Sequence, residues 1–281
     1  MLSILFGLFA ALGWGAGDFT GGLASRKTGA YRAVFYGEVI GIVLLLIVVF
    51  VAGESLPNQK IWLLSMLAGA LGTVGLMFLY HSMTLGMMSL ATPVSALLAA
   101  SLPVLVGIFK EGIPQLLTII GFGFALFAVW MISQGESGMT NILAHLSDLK
   151  LPLLAGIGFG LYFVLMHEAT RTGATIWPMV ASRSGGMILI TVYMFITRAS
   201  WKVEDSSAWP MITINGILDI SGNLFFILAG QTGRLDVAAV LSSLFPGATV
   251  MLAWIFLKER LTRNQWIGIA SALVAIVLMT I

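Results

Sequence analysis

An all-α, polytopic membrane fold is what this sequence predicts, and three observations predict it. Of the 281 residues, 59% are apolar and only 9% are charged, against roughly 25% charged in water-soluble chains. The apolar residues run in ten stretches, each near the roughly 20 residues that cross a bilayer as a helix. The longest polar interruption, Gln134 to Lys150 (QGESGMTNILAHLSDLK), follows the fifth stretch and precedes the sixth. Five crossings are an odd number, so the second half begins from the opposite face of the membrane. If the halves are related in sequence, the second is an inverted copy of the first. No polar stretch is long enough to bury a soluble core of its own.

The first span, 2–24, begins MLSILFGLFAALGWG. No basic residue precedes it and no cleavage site leads from it into polar sequence, so it reads as a permanent helix rather than a signal peptide. The following spans are 30–52, 61–84, 88–109 and 114–133, then 151–170, 175–197, 209–231, 235–257 and 263–281. Most connections are short, which makes sequential helices antiparallel neighbours; the exceptions are the seam and the loop 198–208 (RASWKVEDSSA). The chain thus divides into a five-helix unit over 1–133, a polar connection over 134–150, and a second, inverted unit over 151–281. Abundant glycine (32 residues) suits helices packed closely in lipid.

The repeat is legible by sliding the halves past each other. A shift of 148 residues lays Thr92–Glu111 (TPVSALLAASLPVLVGIFKE) on Val240–Glu259 (VLSSLFPGATVMLAWIFLKE), with Ser95 on Ser243 and a shared Lys-Glu ending. A shift of 145 lays Gly13-Trp14-Gly15 on Gly158-Phe159-Gly160, Gly41 on Gly186, and Glu38 on Arg183. Two shifts within a few residues of each other describe one duplication with small loop changes.

These residues carry a resemblance. The opening Ala10-Ala11-Leu12-Gly13-Trp14-Gly15, the helix ends Lys110-Glu111 and Lys258-Glu259, and the closing Gln265-Trp266-Ile267-Gly268 are similar to the EamA branch of the drug/metabolite transporter superfamily. The resemblance spans nearly the full length. It implies a secondary transporter whose central cavity is lined by the first four helices of each repeat, the fifth serving as scaffold. It also implies cytoplasmic termini in the plasma (inner) membrane of a bacterium or archaeon. The basic residues argue the other way. Loops after odd-numbered spans hold nine Lys/Arg and those after even-numbered spans four, and basic loops favour the cytoplasm.

An ionisable side chain at the centre of a membrane helix costs at least about 2.5–3.5 kcal/mol, which shortens the list of functional candidates to Asp18, Glu38, Arg183 and Asp219. At 1.5 Å rise per residue, all four fall about 12–18 Å below the membrane face carrying the first loop. Glu38 and Arg183, equivalent in the repeat, are natural partners, either as a static ion pair or as a pair that orients solute and rearranges. Asn215, Asp219 and Asn223 share one helix face at i, i+4, i+8, a cavity-lining stripe or interhelical glue. Trp14 shares a face with Asp18 and offers a π-face to a cation; Asp18 could instead cap a kinked helix end. Tyr80, Phe163 and Ser243 complete the expected solute-binding set. Pro246-Gly247 is the expected hinge, with Pro93, Pro103 and Pro178 as lesser kinks. His81 reads as an interfacial histidine. His167, Glu168 and Arg171 read as a solvated helix terminus, and Glu111 and Glu259 as anchors of helix ends. Tyr36, Tyr162, Trp177 and Trp254 are aromatic residues of either cavity or lipid face.

The function these residues suggest is alternating-access transport of a small organic solute: an amino acid, metabolite or amphipathic cationic compound. Asp18, Glu38 and Asp219 are the proton-coupling candidates. One buried base against three buried acids disfavours phosphate-rich solutes. A net charge of +2 spread over short loops points to no nucleic-acid partner. The absence of cysteine excludes disulfides, thiolate chemistry and cysteine metal sites, and no cofactor or metal is expected. With no Walker motif, ATP-driven pumping by this chain alone is excluded. Two other readings remain: a non-transporting scaffold or sensor, and an intramembrane aspartyl protease, because Gly15-Ala16-Gly17-Asp18 matches the GxGD pattern.

Overall fold

The computed structural model describes residues 1–85, 88–133, 149–258 and 261–280. The expected seam lies outside the described residues except for Leu149 and Lys150, as do Glu259 and Arg260. The helices are α1 (Leu2–Thr28), α2 (Ala30–Ala52), α3 (Gln59–Thr84), α4 (Met88–Glu111), α5 (Leu116–Ser133), α6 (Lys150–Thr170), α7 (Ile176–Ile196), α8 (Trp209–Thr232), α9 (Leu235–Ser242), α10 (Phe245–Leu257) and α11 (Arg263–Thr280). Eight spans, α9 and α10 together counting as one, are long and apolar enough to cross a membrane, and the shorter apolar helices α5 and α11 complete ten. No strand occurs among the described residues.

Local chemistry sets the ends. α1 runs four residues beyond the expected boundary, through Arg26 and Lys27, and stops where Gly29 takes φ +85° and donates its N–H to the Ser25 carbonyl at 2.8 Å. Only glycine enters that region without steric cost. Asn58 starts α3 by accepting the Ile61 N–H at 2.9 Å, an ordinary N-cap. The expected ninth span, 235–257, is two helices rather than one. Pro246 has no N–H to give and its ring displaces the preceding turn, so the helix ends at Ser242 and restarts with proline in the first turn of α10.

The two halves interlock rather than sit side by side. α1 packs along α8 and against α9 and α10, while α6 packs along α3 and against α4. These are the same contacts with the halves exchanged. α2 meets α7, and α5 meets α11, so equivalent helices face each other. They do so antiparallel. The start of α2 lies at the end of α7, where Arg32 reaches Ser200, and the loop after α2 lies at the start of α7, where Glu54 reaches Thr175.

Glycines permit close crossings, and in equivalent pairs. A Cβ on Gly13 would stand 2.9 Å from the Gly222 nitrogen. One on Gly158 would stand 2.7 Å from the Leu71 carbonyl and 3.1 Å from the Gly75 nitrogen. Without a solvent-driven hydrophobic effect inside lipid, such close backbone packing is a main source of helix association. Large apolar side chains such as Phe50, Phe109, Leu116 and Ile196 point outward, the inverse of a soluble protein.

Candidate functional site

The interlocked halves leave a space of about 580 Å³ between them, part of it continuous with the exterior. Every one of the four buried ionisable residues expected from sequence borders it: Asp18 from α1, Glu38 from α2, Arg183 from α7 and Asp219 from α8. Trp14, Phe163 and Asn223 border it as well.

Arg183 is the centre of the site. Its side chain is 9% exposed, and it holds two carboxylates from different helices. Nη1 lies 2.9 Å from Glu38 Oε2, and Nη2 donates to Asp219 Oδ2. Arginine suits this position because its planar fork offers several donors while staying ionised. Around the three charges, neutral groups fix orientation. Thr73 Oγ1 donates to Glu38 Oε1 at 3.1 Å. Asn223 Nδ2 donates to Asp219 Oδ2 at 3.1 Å, and Tyr162 donates to Asn223 Oδ1 at 2.6 Å. Glu38 Oε2, although close to the guanidinium, accepts no hydrogen bond, and among the described residues it is the buried side-chain polar atom left in that state.

Asp18 stands apart from this cluster. It is buried and joins no ion pair among the described residues; Asp219 and Tyr80 are the titratable groups beside it. Asn215 fixes that tyrosine from behind, with Nδ2 donating to the Tyr80 oxygen at 3.0 Å and to the Gly17 carbonyl at 2.9 Å. Neither Tyr80 nor Asn215 lines the cavity.

One wall is aromatic. Trp14 and Phe163 stack with centroids 5.1 Å apart, and Phe226 backs both at 5.6 and 4.6 Å. Phe159, Tyr162 and Phe245 extend this wall. Ser243 does not reach the cavity lining. It is fully buried at the α9–α10 break and donates to the Val240 carbonyl at 2.7 Å, just as its equivalent Ser95 donates to Thr92 at 2.9 Å. Pro246 and Gly247 open α10 beside that break.

Each end of the cavity is tied across the halves. At one end the Glu54 carboxylate accepts the N–H groups of Thr175, Ile176 and Trp177 at 3.0, 2.8 and 3.3 Å. There Trp177 packs against Trp62 with centroids 5.9 Å apart. At the other end Arg32 donates to the Ser200 carbonyl at 2.8 Å and Tyr36 to the Trp201 carbonyl at 2.7 Å. Lys27 there donates to Ser207 at 2.7 Å. Tyr36 and Trp177 thus belong to end closures, and Trp254 is exposed on the outer surface. His81 is exposed. Glu168, at the end of α6, pairs with Lys110 at 2.8 Å and with Arg171 at 3.5 Å.

Sequence reasoning missed Thr73, Gly69, Gly72 and Ser182, which also line the cavity. A threonine or glycine in a membrane helix is too common to stand out. The double pairing of Arg183 was also missed. The i, i+4 relation of Asp219 to Asn223 was the available signal for the Asp219 side, and nothing in the sequence pointed that face at α7.

A bundle of ten apolar spans with a charged cavity between its halves defines a multi-pass integral membrane protein built around an internal polar site. Comparison with known proteins refines this. The chain belongs to the EamA-like transporter family, whose profile matches it twice, over residues 1–134 and 148–281, and it is a membrane transporter. A Streptococcus pyogenes protein bearing the name "Putative sugar uptake protein" is 25% identical, the match covering 99% of this chain and 98% of that one. A Listeria monocytogenes protein of the same description is 23% identical over 99% and 96% of the two chains. A crystal structure with 17% identity superposes with a TM-score of 0.79 over 99% of this chain and 96% of its own, which speaks to the fold alone.

Proposed function

We propose that this protein carries a small neutral polyhydroxylated solute, of monosaccharide size, into the cell by alternating access. The observation that carries this reading is the charge balance of the site. Arg183 is occupied by Glu38 and Asp219, so a phosphorylated or carboxylated solute finds no unpaired cation in the cavity. A hydroxyl group does find partners. Asp18, Glu38, Asn223 and Tyr162 all border the space. The Trp14–Phe163 stack offers apolar faces to the C–H side of a sugar ring. Relatives named for sugar uptake support the same class.

Alternating access is supported by the exchange of contacts between halves and by equivalent helices running antiparallel, the arrangement expected of an inverted repeat with its site at the interface. The two end closures, one built on Glu54 and one on Arg32 and Tyr36, are natural gates. A second reading, a cationic solute, draws on one observation: three carboxylates face the cavity against one guanidinium. Cytoplasmic termini complete the proposal.

The test is uptake of labelled monosaccharides, polyols, amines and amino acids by purified protein in liposomes. Competition by neutral sugars and indifference to sugar phosphates is the expected pattern. Saturable uptake of amines with no effect of sugars would replace this reading with the second one, and Glu38→Gln should lower the solute's affinity in either case.

A further inference from the structure

We propose that Asp18 is the site of a coupling proton, positioned by Tyr80 and Asn215, while Glu38, Arg183 and Asp219 remain an ionised wall for the solute. This deepens the transport reading above and rests on it.

The three cavity acids do not have equivalent surroundings. Glu38 and Asp219 each contact the Arg183 guanidinium, and each also accepts a hydrogen bond from a neighbouring side chain, Thr73 or Asn223. Removing a proton from either leaves a charge already matched in place. Asp18 has no cation. Among the described residues it joins no ion pair, and it shares the cavity with another acid, Asp219, with the Tyr80 hydroxyl beside it. The other helices against α1 supply no compensating charge. α10 contains no ionisable residue, and the Asp236 of α9 is held by Arg234 at 2.7 Å. On α2, Glu38 is already paired with Arg183 and Arg32 donates to the Ser200 and Thr28 carbonyls. On α3, Lys60 lies in the first turn, at the opposite end of the helix from Tyr80, and His81 is exposed. Arg263 sits at the first position of α11.

A buried carboxylate without a cation is costly, and the neutral form relieves that cost. The hydrogen bonds allow both forms. Asn215 donates to the Tyr80 oxygen, which leaves the single tyrosine proton free to turn toward Asp18. Ionised, Asp18 accepts it. Protonated, Asp18 accepts it on one oxygen and turns its own O–H toward the cavity it borders. Closing the cavity around ionised Asp18 is disfavoured, whereas closing it around the neutral acid and a bound solute is not. The proton enters from water on one side, binds a carboxylate oxygen, and leaves to water on the other side with the solute. A neutral solute then moves inward with one positive charge.

Three measurements test this. In liposomes holding a pH-sensitive dye, solute uptake by the native protein should acidify the interior. Solute uptake with no proton movement overturns this proposal and leaves the transport reading standing, while no uptake of any solute overturns the transport reading. In Asp18→Asn, whatever solute flux remains should move no protons, and a persisting proton signal overturns the assignment. Dicyclohexylcarbodiimide, which adds protonated intramembrane carboxyls to give a stable acylurea, probes the native protein directly. Mass spectrometry should find the adduct on Asp18. An adduct on Glu38 or Asp219 with Asp18 unmodified overturns it. Finally, Tyr80→Phe should change the pH profile of uptake, and an unchanged profile removes Tyr80 from its positioning role.

Discussion

Arg183 is one buried cation held between two carboxylates on different helices, and its removal is asymmetric with theirs. Arg183→Gln leaves Glu38 and Asp219 facing each other without a counter-charge, a change that typically costs roughly 3–5 kcal/mol when a buried pair is broken. Its unfolding temperature in detergent should fall furthest of the single variants at this site. Glu38→Gln combined with Arg183→Gln restores the formal charge of the cluster to that of the native protein, so part of the lost stability should return. Uptake should stay lost, because both solute-facing groups are gone. Recovery of uptake in the double variant would mean that the pair only neutralises itself. Tyr162→Phe is milder. It removes the 2.6 Å donor from Asn223 Oδ1, at a cost near 1 kcal/mol. The expected result is a folded protein with raised KM for uptake.

At the scale of helices, crossings and caps decide what holds. Gly158→Leu would push α6 off the α3 backbone at Leu71 and Gly75, and overpacking of this kind costs about 1–3 kcal/mol. Thermal unfolding should show the loss, and Gly13→Leu, at the equivalent crossing with Gly222, should show a similar one. A glycine pair whose substitution left stability untouched would mean that the helices do not approach so closely. Glu54 joins the ends of α2 and α7 through three backbone N–H groups. Glu54→Ala should lose about 1 kcal/mol of capping. Amide hydrogen exchange should speed up at Thr175–Trp177 while the start of α2 keeps its protection.

For the whole molecule, most of the architecture was written in the composition. Lipid forces each span to satisfy its own backbone, so helix positions follow from apolar runs, and α2, α3, α7 and α8 begin and end within a few residues of the expected limits. The ninth span is different. Pro246 advertised a bend, but whether a proline kinks a helix or divides it depends on the helices packed around it, which one sequence does not display. The site divides along a similar line. Scarcity made Asp18, Glu38, Arg183 and Asp219 visible, since few charges survive in lipid without a role, and the repeat paired Glu38 with Arg183. Which way Asp219 turns depends on rotation of α8 about its axis, a property set by packing against α1. The roles of Thr73 and Tyr162 depend on partners that only the folded arrangement supplies.

On the proposed mechanism, the two interlocked halves open the cavity to one face at a time. The chain contains no cysteine, so spin labels can be placed without background. The measurement is pulsed electron resonance on protein in liposomes, comparing Leu56→Cys/Arg171→Cys at the Glu54 end with Arg26→Cys/Lys202→Cys at the Arg32 end. As solute or pH is varied, the distance at one end should lengthen while the other shortens. Distances that widen together, or that never change while uptake proceeds, would contradict it.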